Sequence, residues 1–465
     1  MRTGDPVAPA TGTAPPAETD VVIVGGGLAG LAAARRLHRA GTPWVLVEAA
    51  DRLGGRVATD RVDGYLLDRG FQVVNTAYPR QAALLDPDDL ELGLLTHGVL
   101  VRRGAGLHRM VHPLRDPLGA ARTVLTGLAD AAQLGRIGQA PGAVGALART
   151  AGAERISSVG YAFDRLRLAG YAARCATYPV ERLLAVPELT TELELRRVGL
   201  SDRGMEELLR PFLSGVFGER ELTTSSHVLA MVVRAFARGR IGLPAAGMAA
   251  LPAALAATLP TPLITLGVPV TSVRSGLVTT AAGPIRCRAV LVAVDPGTAN
   301  RLLPGLPPVR MNGLTTYYHS TAQPPLDEPV LLLDGDRGGL VANTVVPSLA
   351  APTYAPAGRH LVATSVAGPP APPEPAVRAE LARLYGVPVD DWEHLTTVAV
   401  PAALPATPPP RRRLRAPVVL GDGLFVAGDH RASPSAQGAL ASGWRAAGAI
   451  LRRLRGAGSV AAGYS

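Results

Sequence analysis

The chain has 465 residues, 47% hydrophobic and 18% charged, which suits two or three compact units around a large core and excludes a disordered chain. Its net charge is +10 and its 47 basic residues are all arginine, but aromatics are only 4% and no nucleic-acid reading motif appears, so no nucleic-acid partner is expected. The two cysteines, Cys175 and Cys287, form neither a CxxC pair nor a metal-ligand spacing, which weighs against dithiol chemistry and a zinc site and reads both as small apolar residues.

Residues 1–19 are rich in Pro, Ala and Thr and lack an apolar h-region. They read as a loose, disordered tail rather than a secretory signal. No apolar run is long enough to span a bilayer, and the default compartment is the cytoplasm. The ordered chain is expected to begin at Asp20.

Asp20 to Glu48 reads DVVIVGGGLAGLAAARRLHRAGTPWVLVE. Val21 to Val24 is a β-branched run suited to a strand buried on both faces. Gly25, Gly27 and Gly30 follow with the G-x-G-x-x-G spacing, and Leu28 to Ala40 then predicts a helix rich in Ala, Leu and Arg. Gly41 ends the helix, Trp44 to Val47 predicts a second strand, and Glu48 closes it. Gly25 permits the tight turn, Gly27 lets backbone approach a pyrophosphate, and Gly30 lets helix and strand pack closely. The helix start at Leu28 and Ala29 presents N–H groups to phosphate charge. Glu48 is placed to accept from the ribose hydroxyls of an adenosine half, and its charge argues against a 2′-phosphate. Glycines alone are weak evidence; strand, glycines, helix, strand and acid in one βαβ unit point to an ADP-moiety site, with a Gly-rich turn in an ordinary α/β sheet as the alternative.

Directly behind comes AADRLGGRVATD, where Arg52, Gly54, Gly55 and Arg56 form R-x-G-G-R. The glycines allow a close turn, and Arg56 can offer a fork of donors to phosphate oxygens. The alternative is a surface turn with two solvated arginines.

This βαβ unit, the RLGGR and the following Tyr65–Leu66–Leu67–Asp68–Arg69–Gly70 segment resemble the N-terminus of the flavin amine oxidase superfamily. That group includes monoamine and polyamine oxidases, protoporphyrinogen oxidases and phytoene desaturase-like enzymes. The resemblance implies an α/β fold: a Rossmann-type FAD-binding domain with an inserted helical lid and a mixed-sheet substrate domain. It implies one FAD per chain. It also places the Asp68 to Gln72 segment beside the flavin ring, which makes Gln72 a site candidate; an exposed turn glutamine is the equal alternative.

The implied division assigns 20–95, 215–305 and 415–458 to a discontinuous FAD-binding domain. Residues 96–214 and 306–414 form the substrate-binding domain. Within 96–214, Pro113 to Pro117 predicts a loop, while Gly119 to Leu134 and Ser201 to Leu209 predict helices, the second capped by Ser201. Further on, Thr224 or Ser225 caps a helix. Gly247–Met248 and Pro252 resemble the family's P-x-G-G-M-x-x-L/I-P element, with Ala246 in place of the first glycine of the pair. Leu263 to Val273 predicts one strand, and the resemblance puts the backbone of Val270 against adenine. Ala289 to Val294 predicts a buried strand ending at Asp295–Pro296. Strand-like runs from Gly313 to His319, Pro329 to Leu333 and His360 to Val366 are separated by Pro-rich loops. Tyr317, Tyr318 and His319 read as sheet packing first and as chemistry second.

The last element, GDGLFVAGDHRASPSAQGALASGWRAAGAILRRL, resembles the family's C-terminal flavin motif. Leu424 to Ala427 predicts a strand ending at Gly428–Asp429, and Gln437 or Gly438 opens a helix to about Leu454. The resemblance lets Asp429 hold a ribityl hydroxyl. It lets the N–H groups near Gly438 and Ala439 stabilise negative charge at flavin N1.

The chain also departs from amine oxidases of this group. It has no lysine to hold a water near N5, no aromatic between Gly428 and Gly438, and no cysteine within 390–430 for covalent flavin attachment. The ending looks closer to the desaturase and protoporphyrinogen-oxidase branches. The expectation is non-covalent FAD and hydride transfer from an apolar or polycyclic small molecule to flavin N5, so the main partner is a small hydrophobic substrate. The alternatives are an amine oxidase, a flavoprotein isomerase of the carotenoid-isomerase type, and a non-catalytic nucleotide binder. Arg411–Arg412–Arg413–Arg415 and Arg452–Arg453–Arg455 read as solvated faces or as a weak peripheral contact with an anionic membrane. No feature of the sequence sets an oligomeric state.

Overall fold

The structure, a computed structural model, describes residues 15–110, 164–336, 339–411 and 414–461. The expected loop at Pro113 to Pro117 and helix at Gly119 to Leu134 lie outside them.

The chain enters a sheet at once. β1 (Glu18–Val24) leads into α1 (Leu28–Arg39) and then β2 (Trp44–Val47), which pairs parallel with β1. Val21, Val22 and Ile23 are fully buried, as the β-branched run requires. The strand starts before Asp20: Glu18 and Thr19 pair with Arg286 and Cys287. The neighbouring strand captures them, so residues 18 and 19 are not part of a loose tail.

Two hairpins follow, β3 (Thr59–Val62) with β4 (Tyr65–Asp68) and β5 (Val99–Arg103) with β6 (Gly106–Met110). β5 and β6 sit where a helical lid is expected. The Val99–Leu100–Val101 alternation explains this, because Leu100 and Val101 are buried on opposite faces. The chain then turns helical across 164–177 and through several short helices to α2 (Arg210–Phe217) and α3 (Ser226–Arg238). Ser201 and Ser225 cap as predicted: the Ser201 hydroxyl accepts from Gly204 N–H, and the Ser225 hydroxyl from His227 N–H.

β7 (Ile264–Thr265) and β8 (Val270–Arg274) replace the single strand expected over Leu263 to Val273. Gly267, at φ +71°, breaks the run. β9 (Leu277–Thr280) and β10 (Gly283–Val292) follow. The first sheet runs β7-β2-β1-β10-β9-β8. β1 and β10 pair in parallel, with Val22 opposite Val290.

β11 (Met311–Thr321), β12 (Leu331–Asp334), β13 (Asn343–Val345), β14 (His360–Ala367), α4 (Glu374–Tyr385) and β15 (Glu393–Pro405) build the second unit. Its mixed sheet runs β15-β11-β14-β13-β12-β5-β6. α4 covers one face, burying Leu332, Val362, Val377 and Leu381. α2 and α3 cover the other, burying Val101, Leu213, Leu229 and Leu333.

β16 (Val419–Gly421) and β17 (Leu424–Val426) return to the first sheet, β17 parallel to β10. α5 (Ala436–Ala461) then packs along α1. Gly443 permits the close approach, since a Cβ there would stand 1.9 Å from the Ala29 carbonyl oxygen. Arg36 and Arg80 both stack on Trp444, at 5.0 and 4.8 Å from the ring.

Candidate functional site

A cavity of about 1540 Å³ joins the two units. Ordinary ligand pockets hold roughly 300–1,000 Å³, so this one has room for a large cofactor and a second molecule. One end is lined by Gly25, Gly27, Glu48, Gly55, Arg56 and Asp429; the other by Leu213, Val216, Leu229, Val232 and Phe236.

The glycine turn is built as its spacing predicts. Gly25 has φ +105°, and its N–H donates to the Val47 carbonyl at 2.8 Å. A Cβ on Gly30 would lie 2.0 Å from the Gly25 oxygen, so helix and strand meet there. A Cβ on Gly27 would meet nothing within 4 Å and would project into the cavity that Gly27, Leu28 and Ala29 line. The second glycine pair closes the cradle. Gly54 N–H donates to Gly26 O at 2.9 Å, and Arg52 donates to the Gly55 carbonyl at 3.2 Å. Gly55 adopts φ +59°.

Glu48 braces this turn from below. Its Oε2 accepts from Gly26 N–H at 2.6 Å and its Oε1 from Ala50 N–H at 2.9 Å. A carboxylate has about four lone-pair sites, so acceptor capacity remains toward the cavity. Val270 opens β8 but does not line the cavity; its neighbour Val268 donates to the Glu48 carbonyl at 2.9 Å.

Arg56 and Asp429, expected to act separately on phosphate and ribityl oxygens, are paired at 2.7 Å. Arg56 also donates to the Ala403 carbonyl at 2.8 Å. Burial opposes the charge on Arg56, but the Asp429 carboxylate outweighs it and holds the pKa above the usual value. Asp429 is 5% exposed, and a buried charge there needs its partner. Beside it the His430 imidazole has no hydrogen-bond partner at either ring nitrogen, and burial pushes its pKa down to about 4.

At the C-terminal motif the helix starts at Ala436, earlier than expected. Gly438 N–H donates to the Ser435 hydroxyl at 3.1 Å and Ala439 N–H to the Ser435 carbonyl at 3.0 Å. Those two amides are therefore already bonded. The first-turn amides without a partner inside the helix are those of Ala436 and Gln437, and Ala436 and Ala439 line the cavity. Gly438 acts by packing: a Cβ there would stand 1.9 Å from Ser433 O. Gly428, at φ +153°, also lines the cavity, and its N–H donates to the Ser442 hydroxyl at 2.9 Å.

Gln72 lines the cavity and donates to the carbonyls of Arg56 and Arg69 at 3.1 and 3.3 Å. Tyr317, Tyr318 and His319 are fully or nearly buried in the second sheet and do not line it. Tyr318 donates to the Asp68 carbonyl at 2.7 Å, and His319 pairs with Glu374 at 2.8 Å. Burial lowers the His319 pKa despite that carboxylate, and it raises the pKa of Asp68 despite donors from Thr59, Met248 and Tyr354. The strongly apolar wall from α2 and α3 is what sequence reasoning missed. Its signal was present in the amphipathic run SHVLAMVVRAFAR.

Among the described residues no group of His, Cys, Asp or Glu is placed to hold a metal, and no helix is long and apolar enough to cross a membrane. Of the two arginine clusters, Arg411 is partly buried, donating its backbone N–H to Glu188 at 2.6 Å and its guanidinium to Ala432 O at 3.0 Å. Arg452, Arg453 and Arg455 are exposed.

A sheet whose parallel strands deliver a bare glycine cradle, a carboxylate at the end of the second strand and a closing helix to the same cavity defines a dinucleotide-binding α/β protein of the flavoenzyme kind. The residues fit FAD, because the cradle admits backbone approach only where Gly27 and Gly55 carry no side chain. The family description "Flavin containing amine oxidoreductase" matches residues 28–451, and the chain belongs to that family. The family is one of flavin-containing oxidoreductases.

Putrescine oxidase of Kocuria rosea is 46% identical over 80 residues, 17% of this chain and 16% of that protein. Pig (Sus scrofa) amine oxidase [flavin-containing] B is 37% identical over 117 residues, 23% of this chain and 21% of that one. The chain thus matches less than a quarter of either relative's length. Among solved structures, cyclohexylamine oxidase from Brevibacterium oxydans superposes with a TM-score of 0.65 at 18% identity, over 94% of this chain and 99% of that one. A putative protoporphyrinogen oxidase from an Exiguobacterium species gives 0.63 at 19%, over 93% and 98%. At such identities the likeness is one of fold.

Proposed function

We propose that the protein dehydrogenates an apolar or polycyclic small molecule at carbon, with FAD as the hydride acceptor. One observation carries this reading. The cavity runs from the glycine cradle into a chamber walled by Leu, Val and Phe side chains of α2 and α3, while among the described residues its acidic members, Glu48, Asp295 and Asp429, stand at the cradle end. A cationic amine is normally met by carboxylates or aromatic faces; here the cavity-lining aromatics of α2 and α3, Phe212 and Phe236, pack edge-to-face on each other at 5.3 Å, while Phe71, Tyr78 and Tyr171 line the cavity from other elements.

Bound FAD supplies a two-electron acceptor at its N5. The chain supplies position and environment. Glu48 and the amides around Gly27 and Gly55 hold the nucleotide half. The Arg56–Asp429 pair lines the passage toward the chamber. The positive end of α5 favours negative charge at its first turn. Apolar walls contribute roughly 25 cal/mol per Å² of substrate surface they cover and exclude water from the reacting carbon. The absence of lysine removes one water-holding group of the amine oxidases, in keeping with a carrier other than oxygen taking the electrons.

The test is anaerobic exposure of the oxidised holoprotein to polyamines and aryl amines beside carotenoid, porphyrinogen and terpenoid compounds. Flavin bleaching by a member of the second group supports the reading. Rapid bleaching by a simple amine, with hydrogen peroxide on re-aeration, overturns it.

A further inference from the structure

Among the described residues lining the chamber, one polar side chain, Asn343, carries a buried atom with no hydrogen-bond partner. Asn343 lies on β13, in the middle of the second sheet, is only 6% exposed, and lines the cavity. Its neighbour Thr344 points to α4, where its hydroxyl meets that of Tyr385 at 2.9 Å. Side chains alternate along a strand, so Asn343 points the other way, to the α2 face. Gly215 of α2 confirms this, because a Cβ on Gly215 would stand 2.0 Å from Asn343 Nδ2. Gly215 lines the same cavity. The Asn343 Oδ1 is shielded from solvent and has no hydrogen-bond partner.

A buried amide left without a partner is costly, on the order of 1–3 kcal/mol. Filling the site with Leu or Val would suit the surrounding chamber better. The Nδ2 end, which faces Gly215 at the cavity wall, is the part of the amide a ligand can complete.

We propose that Asn343 is a specificity-determining residue of the substrate chamber. It hydrogen-bonds a single hydroxyl or carbonyl group on an otherwise apolar substrate. The assignment rests on the apolar-substrate reading above and narrows it: the substrate is a largely hydrocarbon molecule with one oxygen function, set apart from the pure hydrocarbon of the same shape. The amide suits both functions through Nδ2, the atom that faces Gly215, which donates to a carbonyl or a hydroxyl oxygen. Gly215 leaves the room the amide occupies, and Leu213, Val216 and Leu331 supply the surrounding apolar contacts.

The test uses androstanol and androstane, a tetracyclic pair differing by one hydroxyl. Each is titrated into the oxidised holoprotein, and the perturbation of the flavin spectrum reports binding without turnover. The wild type is expected to bind androstanol about tenfold or more tighter than androstane, the scale of one hydrogen bond to a buried group. Asn343→Leu is expected to abolish that preference while retaining androstane binding. Its melting temperature should be equal to or above that of the wild type, because an unpartnered buried polar group is removed. A purely structural Asn343 would give the opposite, a lowered melting temperature and an unchanged preference. Equal affinity for both compounds in the wild type, or a preference that survives Asn343→Leu, overturns the role of Asn343 and leaves the apolar-substrate reading standing. No spectral change with either compound overturns both.

Discussion

Replacing Glu48 with alanine tests whether the acid at the end of β2 works on the cofactor or only on its own loop. The structure gives it both opportunities. Its oxygens accept from Gly26 and Ala50 N–H at 2.6 and 2.9 Å, and it lines the cavity beside Gly27. Hydrogen bonds to a charged group contribute about 1.5–3 kcal/mol, so losing those to the adenosine ribose weakens FAD by about tenfold to a hundredfold or somewhat more. Deflavinated protein is titrated with FAD and then with FMN, which lacks the adenosine half, following quenching of flavin fluorescence. If Glu48 holds the ribose, Glu48→Ala weakens FAD and leaves FMN nearly untouched. If it only braces the Gly26 turn, both ligands weaken together. Equal weakening of the two, or unchanged FAD affinity in a folded variant, refutes the ribose role.

Three further outcomes are expected. Acid precipitation of the holoprotein releases flavin to the supernatant, because neither Cys175 nor Cys287 lines the cavity; flavin pelleting with the protein contradicts this. Gly443→Ala lowers the melting temperature and flavin retention together, since its Cβ would stand 1.9 Å from Ala29 O at the contact of α1 with α5, and such overpacking costs about 1–3 kcal/mol; unchanged melting would show that the helices part freely. Burial holds His430 at about 4 in the folded state, against ~6.5 when unfolded, so the unfolded chain binds more protons between those values and stability falls as pH drops through that window, by on the order of 3 kcal/mol from this group. Burial lowers His319 as well, with the same sign. Melting curves of His430→Asn should be flatter than wild type between about pH 6.5 and 4, and parallel curves would remove His430 from the account.

The parts of this fold visible in the sequence were those set by local spacing. β1, α1 and β2 follow from a β-branched run, three glycines and a 3.6-residue pattern; α1 and β2 form within a residue of the expected places, and β1 ends where expected but starts three residues earlier. Features set by partners far away were not visible. Glu18 and Thr19 become strand only because Arg286 and Cys287 lie alongside. Leu263 to Val273 reads as one strand until Gly267 turns and its two halves join different neighbours, β7 with β2 and β8 with β9. The start of α5 shifts because Ser435 bonds Gly438 and Ala439, a local device hidden inside an apparently irregular SPSAQG stretch. The pairing of Arg56 with Asp429 joins residues assigned separate tasks, and Asn343 gains its meaning only when α2 closes over the sheet.

The central claim is dehydrogenation at carbon, and its most direct measurement is a single anaerobic turnover with product analysis. A compound that bleaches the flavin is incubated with excess oxidised holoprotein, and product mass is compared with the amount of flavin reduced. The account predicts one product molecule, two hydrogens lighter than its parent, for each FAD reduced. A product of unchanged mass formed only after the flavin has been reduced beforehand would make the protein an isomerase and contradict the account.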